Sequence, residues 1–486
     1  MKLSDLVNWN PWWKGLASAY ESWYKYYNFS FIAFKGDLDF SKNYIIRGPR
    51  QVGKTYFLFK MMNNAVNNNV ASFQGVIYIS CDRLGGRNEL RNLIRNLKEY
   101  KRGVEKEKIL FLDEVTAIEK WERVYKEICE EGFFKVIATG SRPKELEEKG
   151  EYFPGRNVEI YNFYPLSFKE FVYSFLKSYL QEFKIVGAPL REELVSLTKR
   201  MDIILQPSST PFNRLGNFLR KYQINLSTAT TNDLKRIITE SMGDKIEEIK
   251  SLANYFDIIN FLFRLYLEIG GYPIAIEKKI NEEEIPYELV VQDTLGTIEK
   301  EGLNIEILNR LIPKLIEKLS SPVSYSDLAK DLEVEKNTLI KYLETLERSF
   351  IIRVFYYYDG KVHPKKNKKI YFCDPFMIKA FEKYYSLKET DESIIVENIV
   401  GEHLARNIED PFRVNWKNRI GYGKIKNKEV DFLVKEEEQI VKIEVKYQEN
   451  PVVEIKDIDF LLTKDNFGLS EKPYQIPASL FLLTLK

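Results

Sequence analysis

The chain has 486 residues, enough for about three domains at roughly 150 residues each. Its 44% hydrophobic and 30% charged residues are the proportions of a globular protein. Lys+Arg (73) and Asp+Glu (71) nearly cancel, which excludes a uniformly basic nucleic-acid binder and leaves only local patches. Cys81, Cys129 and Cys373 stand far apart in no ligand spacing, so neither a zinc site nor a disulfide framework is expected.

The first residues, MKLSDLVNWNPWWKG, lack the apolar stretch of a signal peptide. Asn10-Pro11-Trp12-Trp13 is expected to pack onto a domain surface. From Asn43 to Phe168, short apolar runs alternate with helical stretches: Tyr44–Ile46, Val76–Ser80, Ile109–Leu112, Lys135–Thr139 and Val158–Tyr161. Continuous apolar runs are the mark of parallel strands buried on both faces, so this segment predicts an α/β doubly wound sheet.

Within it, Gly48-Pro49-Arg50-Gln51-Val52-Gly53-Lys54-Thr55 fills the pattern G-x-x-x-x-G-K-[ST] between an apolar strand and a helix opened by Tyr56. Glycines let backbone N–H groups wrap phosphates, and the helix N-terminus adds its positive end. Lys54 would reach the β- and γ-phosphates of ATP, and the Thr55 hydroxyl would ligate Mg²⁺. The strand Ile109–Leu112 ends in Asp113 and Glu114. Asp113 is expected to hold Mg²⁺ through its water shell, and Glu114 to orient and deprotonate the attacking water. Thr139-Gly140-Ser141 closes the next strand. Its hydroxyls either meet the γ-phosphate or the water, or simply cap the strand.

Residues 167–300 read as helical, broken by a polar stretch, Gln206–Thr231, expected to be a loop or hairpin. The most apolar long segment, Phe256–Ile276, carries Asp257, Asn260, Arg264 and Glu268, so it reads as a buried helix. No membrane partner is expected, and the cytoplasm is the expected location. Ser324 should cap a short helix, Asp327–Leu332, followed by a second, Glu335–Ser349, with Leu339, Leu343, Leu346 and Phe350 on one face. Lys336, Asn337 and Lys341 lie on the other face. Two strands, Ile351–Tyr358 and Lys369–Phe372, flank the basic stretch 360–368, which carries Lys361, Lys365, Lys366 and Lys368. The set looks like a winged helix, suited either to DNA phosphates or to a protein contact. His363 and His403 are too far apart to suggest a shared ligand.

In the tail, Glu429–Val434 and Ile440–Tyr447 predict an antiparallel hairpin around 435–439. Alternation puts Glu444 and Lys446 on one face, with Asp431 on the neighbouring strand and Glu397 on a preceding helix. Such a set can be a charged strand face beside solvent, or a metal site in which three carboxylates hold Mg²⁺ while Lys446 positions a water.

With these motifs in hand, the chain resembles the archaeal branch of the AAA+-type ATPases, and in particular those ending in a nuclease-like domain. The tail resembles the restriction-endonuclease-like (PD-D/E-x-K) nucleases, with Asp431 and Glu444-x-Lys446 in the motif and Val430 replacing its Pro. Pro165–Phe171 and Gly270-Gly271-Tyr272-Pro273 add to the first resemblance. It implies an ATPase core over residues 1–165, a helical lid over 166–304, a winged helix over 305–375 and a nuclease-like α/β domain over 376–486. It further implies that Thr139 or Ser141 senses the nucleotide, that the Gly270–Pro273 turn lies near it, and that ATP and Mg²⁺ are the cofactors. An arginine from a neighbouring subunit would complete such a site; Arg142 and Arg156 are the candidates, and the oligomeric state is not readable.

Overall fold

A computed structural model describes residues 3–14, 38–141, 157–182, 195–197, 255–409, 416–436, 439–449, 451–452, 455, 457–468 and 472–485. Arg142, Arg156 and the stretch Gln206–Thr231 lie outside them. The chain divides into two units: residues 1–165, 292–305 and 344–350, and residues 166–291, 306–343 and 351–486.

In the first unit, strands β1 (Asn43–Arg47), β2 (Ala71–Ser80), β3 (Glu107–Asp113), β4 (Lys135–Gly140) and β5 (Val158–Asn162) form a sheet in the order β2-β3-β4-β1-β5. Every pairing is parallel. Ile109 to Leu112 and Val136 to Ala138 are wholly buried, as continuous apolar runs must be when helices cover both faces. Those helices include α2 (Lys54–Asn67), α3 (Arg87–Tyr100) and α4 (Trp121–Glu131), while α1 (Leu3–Trp9) precedes the sheet.

Strand β2 lies at the sheet's edge, where unpaired backbone groups need a cover. The N-terminal segment supplies it. Trp12 Nε1 and Trp13 Nε1 both donate to the Val76 carbonyl, at 3.1 and 2.9 Å. The Asn10 carboxamide accepts from Tyr78 N (2.7 Å) and donates to Tyr78 O (2.9 Å), as an added strand would. Packed onto this edge as expected, Trp12 and Trp13 are buried.

The second unit carries α5 (Phe168–Glu182), α6 (Phe256–Ile269) and α7 (Pro273–Ile280). The helices α8 (Tyr287–Glu299), α9 (Ile305–Glu317) and α11 (Lys336–Arg348) are divided between the units; α10 (Tyr325–Asp331) lies in the second. The apolar segment Phe256–Ile276 is thus two helices, broken where Gly270 turns at φ +65°. A Cβ on Gly271 would sit 2.0 Å from the Leu166 carbonyl oxygen. Gly271 N donates to Asp374 (3.0 Å), and Leu166 N donates to Gly271 O (2.8 Å). Both glycines are therefore accounted for by backbone turn and close packing within this unit.

The remaining elements are β6 (Ile352–Tyr358), β7 (Val362–Phe372), α12 (Pro375–Tyr384), α13 (Glu392–Ile408), β8 (Ile420–Ile425), β9 (Lys428–Glu436), β10 (Gln439–Lys446), β11 (Phe460–Thr463), β12 (Tyr474–Pro477) and α14 (Ala478–Leu483). The strands form one seven-stranded mixed sheet, β12-β11-β10-β9-β8-β6-β7. Hairpin β6–β7 and the tail strands were expected in separate domains divided at residue 375. In the structure β6 pairs with β8 through Tyr357 and Tyr422, so the hairpin and the tail strands share one sheet. The hairpin β9–β10 is antiparallel, with Phe432 opposite Ile443. Among the described residues no helix is long and apolar enough to cross a membrane.

Candidate functional site

The loop after β1 closes tightly. A Cβ on Gly48 would lie 2.1 Å from the Phe163 carbonyl oxygen, and Gly53 caps α2 in the left-handed region (φ 92°). Both positions demand glycine. Lys54 is buried and folds back on the loop, donating to the Gly48 and Pro49 carbonyls at 3.0 and 2.7 Å. Burial lowers its pKa, opposed by the charges of Glu114 and Asp113. Arg50 and Tyr56 are exposed. Gln51 donates through Nε2 to Asp293 Oδ2 on α8 (2.7 Å), a partner the sequence did not suggest.

The two adjacent carboxylates are sorted by the backbone. Asp113 ends β3 and is buried; Glu114 turns into the left-handed region (φ 51°) and projects differently. Asp113 Oδ2 accepts from Thr55 Oγ1 and Tyr78 OH, both at 2.9 Å, and Oδ1 accepts from Thr139 Oγ1 at 2.6 Å. Burial raises the Asp113 pKa, and the bond from Thr139 opposes it first. The Thr139 oxygen also accepts from Glu114 N (2.9 Å). Ser141 Oγ donates to Glu114 Oε2 (2.9 Å), and Lys54 Nζ stands 3.9 Å from Glu114 Oε1. All the residues expected here, Lys54, Thr55, Asp113, Glu114, Thr139 and Ser141, converge at the C-terminal ends of parallel strands, where open α/β sheets bind ligands.

Tyr78 was missed. It sits on β2 two residues before Ser80, which pairs with Asp113, so strand alternation places it on the side of the sheet where its hydroxyl reaches that carboxylate. The order of the strands, not their sequence, brings β2 beside β3.

In the second unit the tail residues also converge, around a lysine that the sequence did not single out. Lys369 of β7 is buried, its ammonium 3.0 Å from Glu397 Oε1, 3.0 Å from Glu429 Oε1 and 3.1 Å from Asp431 Oδ1. Burial alone would lower the Lys369 pKa, but the charges of Asp431, Glu397 and Glu429 outweigh it and hold the group cationic. Tyr371 OH donates to Glu397 (2.8 Å), Val445 N donates to Asp431 Oδ2 (3.0 Å), and Lys446 Nζ lies 3.0 Å from Glu444 Oε1. Burial and then the Asp431 charge push Glu397 and Glu444 each up to about 7. The expected counter-charge for Glu397, Asp431 and Glu444 was a divalent cation; in the structure ammonium groups face all three, Lys369 beside Glu397 and Asp431, and Lys446 beside Glu444. Among the described residues no group of three or more His, Cys, Asp or Glu is arranged to hold a metal ion. Beside the cluster, a cavity of ≈ 300 Å³ is lined by Lys428, Glu429, Asp431, Glu444, Lys446 and an apolar wall.

Ser324 caps α10, accepting from Asp327 N (3.3 Å), and Lys336, Asn337 and Lys341 of α11 are exposed. The expected loop over 360–368 is largely strand. Tyr356 pairs with Lys368 and Tyr357 with His363, so residues 364–367 bulge from the ladder. Lys365 and Lys366 are exposed on this bulge. Lys368 is not: it is buried, with Nζ donating to Pro364 O (2.6 Å). His403 accepts from Phe168 N (2.9 Å) and is structural.

Residues 41–172 match the family model of an AAA domain, and residues 260–388 match a domain of unknown function (DUF8612). Two uncharacterized proteins of Methanocaldococcus jannaschii are similar. One is 32% identical over 26% of this chain and 27% of its own length, the other 26% identical over 69% and 61%. The chain thus spans under two thirds of either. An uncharacterized protein of Haemophilus influenzae is 24% identical over 90% of this chain and 89% of its own. Among solved structures, the Aeropyrum pernix Orc1 protein in complex with DNA is 11% identical at TM-score 0.25, covering 76% of this chain and 91% of its own. C. elegans PCH-2 is 14% identical at TM-score 0.25, covering 51% and 70%. TM-scores this low bear on neither fold nor function. The family match, the parallel sheet and the Gly48–Thr55 loop facing Asp113 agree: residues 41–172 resemble an AAA domain and carry its phosphate-loop pattern.

Proposed function

We propose that the chain binds and hydrolyses ATP with Mg²⁺ at the P-loop, and that this drives or controls an action on DNA by the second unit. The observation that carries the first part is the separation of the two neighbouring carboxylates. Asp113 is buried against the Thr55 hydroxyl, while Glu114 stands apart with Ser141 and Lys54. Hydroxyl and carboxylate oxygens are the hard donors that suit Mg²⁺, and the loop around Gly48 and Gly53 suits phosphate. Thr55 and Asp113 would hold the metal, which supplies charge neutralisation for the phosphate oxygens. Lys54 would exchange its loop carbonyls for phosphate oxygens. Glu114 would take the proton from the attacking water, oriented by Ser141. Phosphate release measured with ATP and Mg²⁺ tests this; no release from the wild-type chain would sink it.

For the second unit, the reading that follows the motif is a metal-dependent nuclease with Glu397, Asp431, Glu444 and Lys446, guided by the exposed lysines of α11 and the β7 bulge. The buried Lys369 ammonium favours a second reading, a nucleotide-controlled switch whose tail binds DNA or a protein without cutting. Mn²⁺ titration decides between them, with wild type and Asp431→Ala/Glu444→Ala compared in a Lys54→Ala background. A site present only with the carboxylates intact supports the nuclease; identical binding supports the switch.

A further inference from the structure

Tyr78 joins two parts of the first unit, the carboxylate end of β3 and the N-terminal segment. Its hydroxyl donates to Asp113 Oδ2 at 2.9 Å, the same oxygen that Thr55 Oγ1 reaches. Its backbone, one residue of an edge strand, has no strand partner on the outer side among the described residues. Asn10 takes that place with both arms of its carboxamide, and its Nδ2 also donates to Leu6 O (3.0 Å). Asn10 is completely buried, so these bonds do not compete with water. The Tyr78 ring leans on Phe59 of α2, centroids 5.3 Å apart, and α2 is the helix that begins with Lys54 and Thr55.

A carboxylate at the end of a strand can rotate about its last bond. Here Thr139 holds one oxygen, and Tyr78 holds the other facing Thr55. A ligand oxygen held within a few tenths of an ångström binds more tightly than one that must be ordered on binding. We propose that Tyr78 is a positioning residue for the Mg-nucleotide site, and that the N-terminal segment sets it through Asn10, so that docking of residues 3–14 on β2 tunes Mg-nucleotide affinity. The inference rests on the ATP-binding reading above.

The test uses the full chain and a fluorescent ADP, with affinity measured with and without Mg²⁺. Tyr78→Phe removes only the hydroxyl and keeps the ring on Phe59. The Kd in Mg²⁺ should rise about 10- to 150-fold, the scale of one hydrogen bond to a charged group, while the Kd without Mg²⁺ stays the same. Asn10→Asp keeps the acceptor for Tyr78 N but loses the donor to Tyr78 O; it should weaken Mg-ADP binding in the same direction. In a Tyr78→Phe background it should add nothing, because its effect passes through the hydroxyl. A Tyr78→Phe protein that binds Mg-ADP as tightly as wild type, or tighter, overturns the proposal. An additive double variant overturns the role of Asn10. A wild-type chain that binds no nucleotide at all would count against the ATP-binding reading itself, so the two failures are distinct.

Discussion

The Lys369 ammonium lies 3.1 Å from the Asp431 carboxylate, and both groups are buried in the second unit. With Glu397 and Glu429 at 3.0 Å, this lysine is the positive centre of an otherwise acidic patch. Removing one partner of a buried ionic cluster leaves the other charges uncompensated, at a cost of about 3–5 kcal/mol. Lys369→Met should therefore destabilise the second unit by that order, read as a lower denaturant midpoint. A stability equal to wild type would mean that the carboxylates are neutralised in some other way.

At the P-loop, Lys54→Ala should abolish ATP hydrolysis. Glu114→Gln should keep nucleotide binding and lose turnover by roughly 10²–10⁴-fold, the usual contribution of a general base. Phosphate release and equilibrium binding, measured side by side, check both. A Glu114→Gln protein hydrolysing at the wild-type rate excludes Glu114 as the base.

If the second unit grips duplex DNA through Lys336, Lys341, Lys365 and Lys366, four phosphate contacts give a log–log salt slope of about −3.6. Lys368 is left out because it is buried against Pro364. Replacing Lys365 and Lys366 by Ala should flatten the slope by about two contacts' worth. Binding insensitive to salt would point to a protein partner for this surface.

Lys101 provides a pH test. Its side chain is buried, bonded to Gln74 (3.1 Å), with Nζ 3.6 Å from the Trp13 ring centroid. Burial pushes its pKa down to about 7. Between about pH 7 and the ordinary lysine range the unfolded chain binds more protons at this site than the folded one, so stability rises with pH. The Lys101 contribution is full above the ordinary lysine value and is lost as pH falls through 7. Lys101→Met should make the stability–pH curve flatter over that window, followed by thermal unfolding at several pH values. An unchanged slope would show that Trp13 keeps the ammonium charged in the fold.

Local pattern was enough for the buried strands and the phosphate loop, which depend on neighbours along the chain. The apolar runs announced five parallel strands, because a strand covered on both faces can hold no polar alternation. Gly48, Gly53, Lys54 and Thr55 were legible because a phosphate loop must be contiguous, and Asp113 and Glu114 because they end the next apolar strand but one. Pairing across the fold was not legible. Tyr78 joins Asp113 only because β2 lies next to β3, and Asn10 joins Tyr78 only because β2 is the edge. Lys369, on a hairpin that read as part of another domain, meets Asp431 only because β6 pairs with β8. A lysine in a charged sequence looks like any other until tertiary structure surrounds it with carboxylates and removes the water, and burial is what turns that charge into a structural requirement.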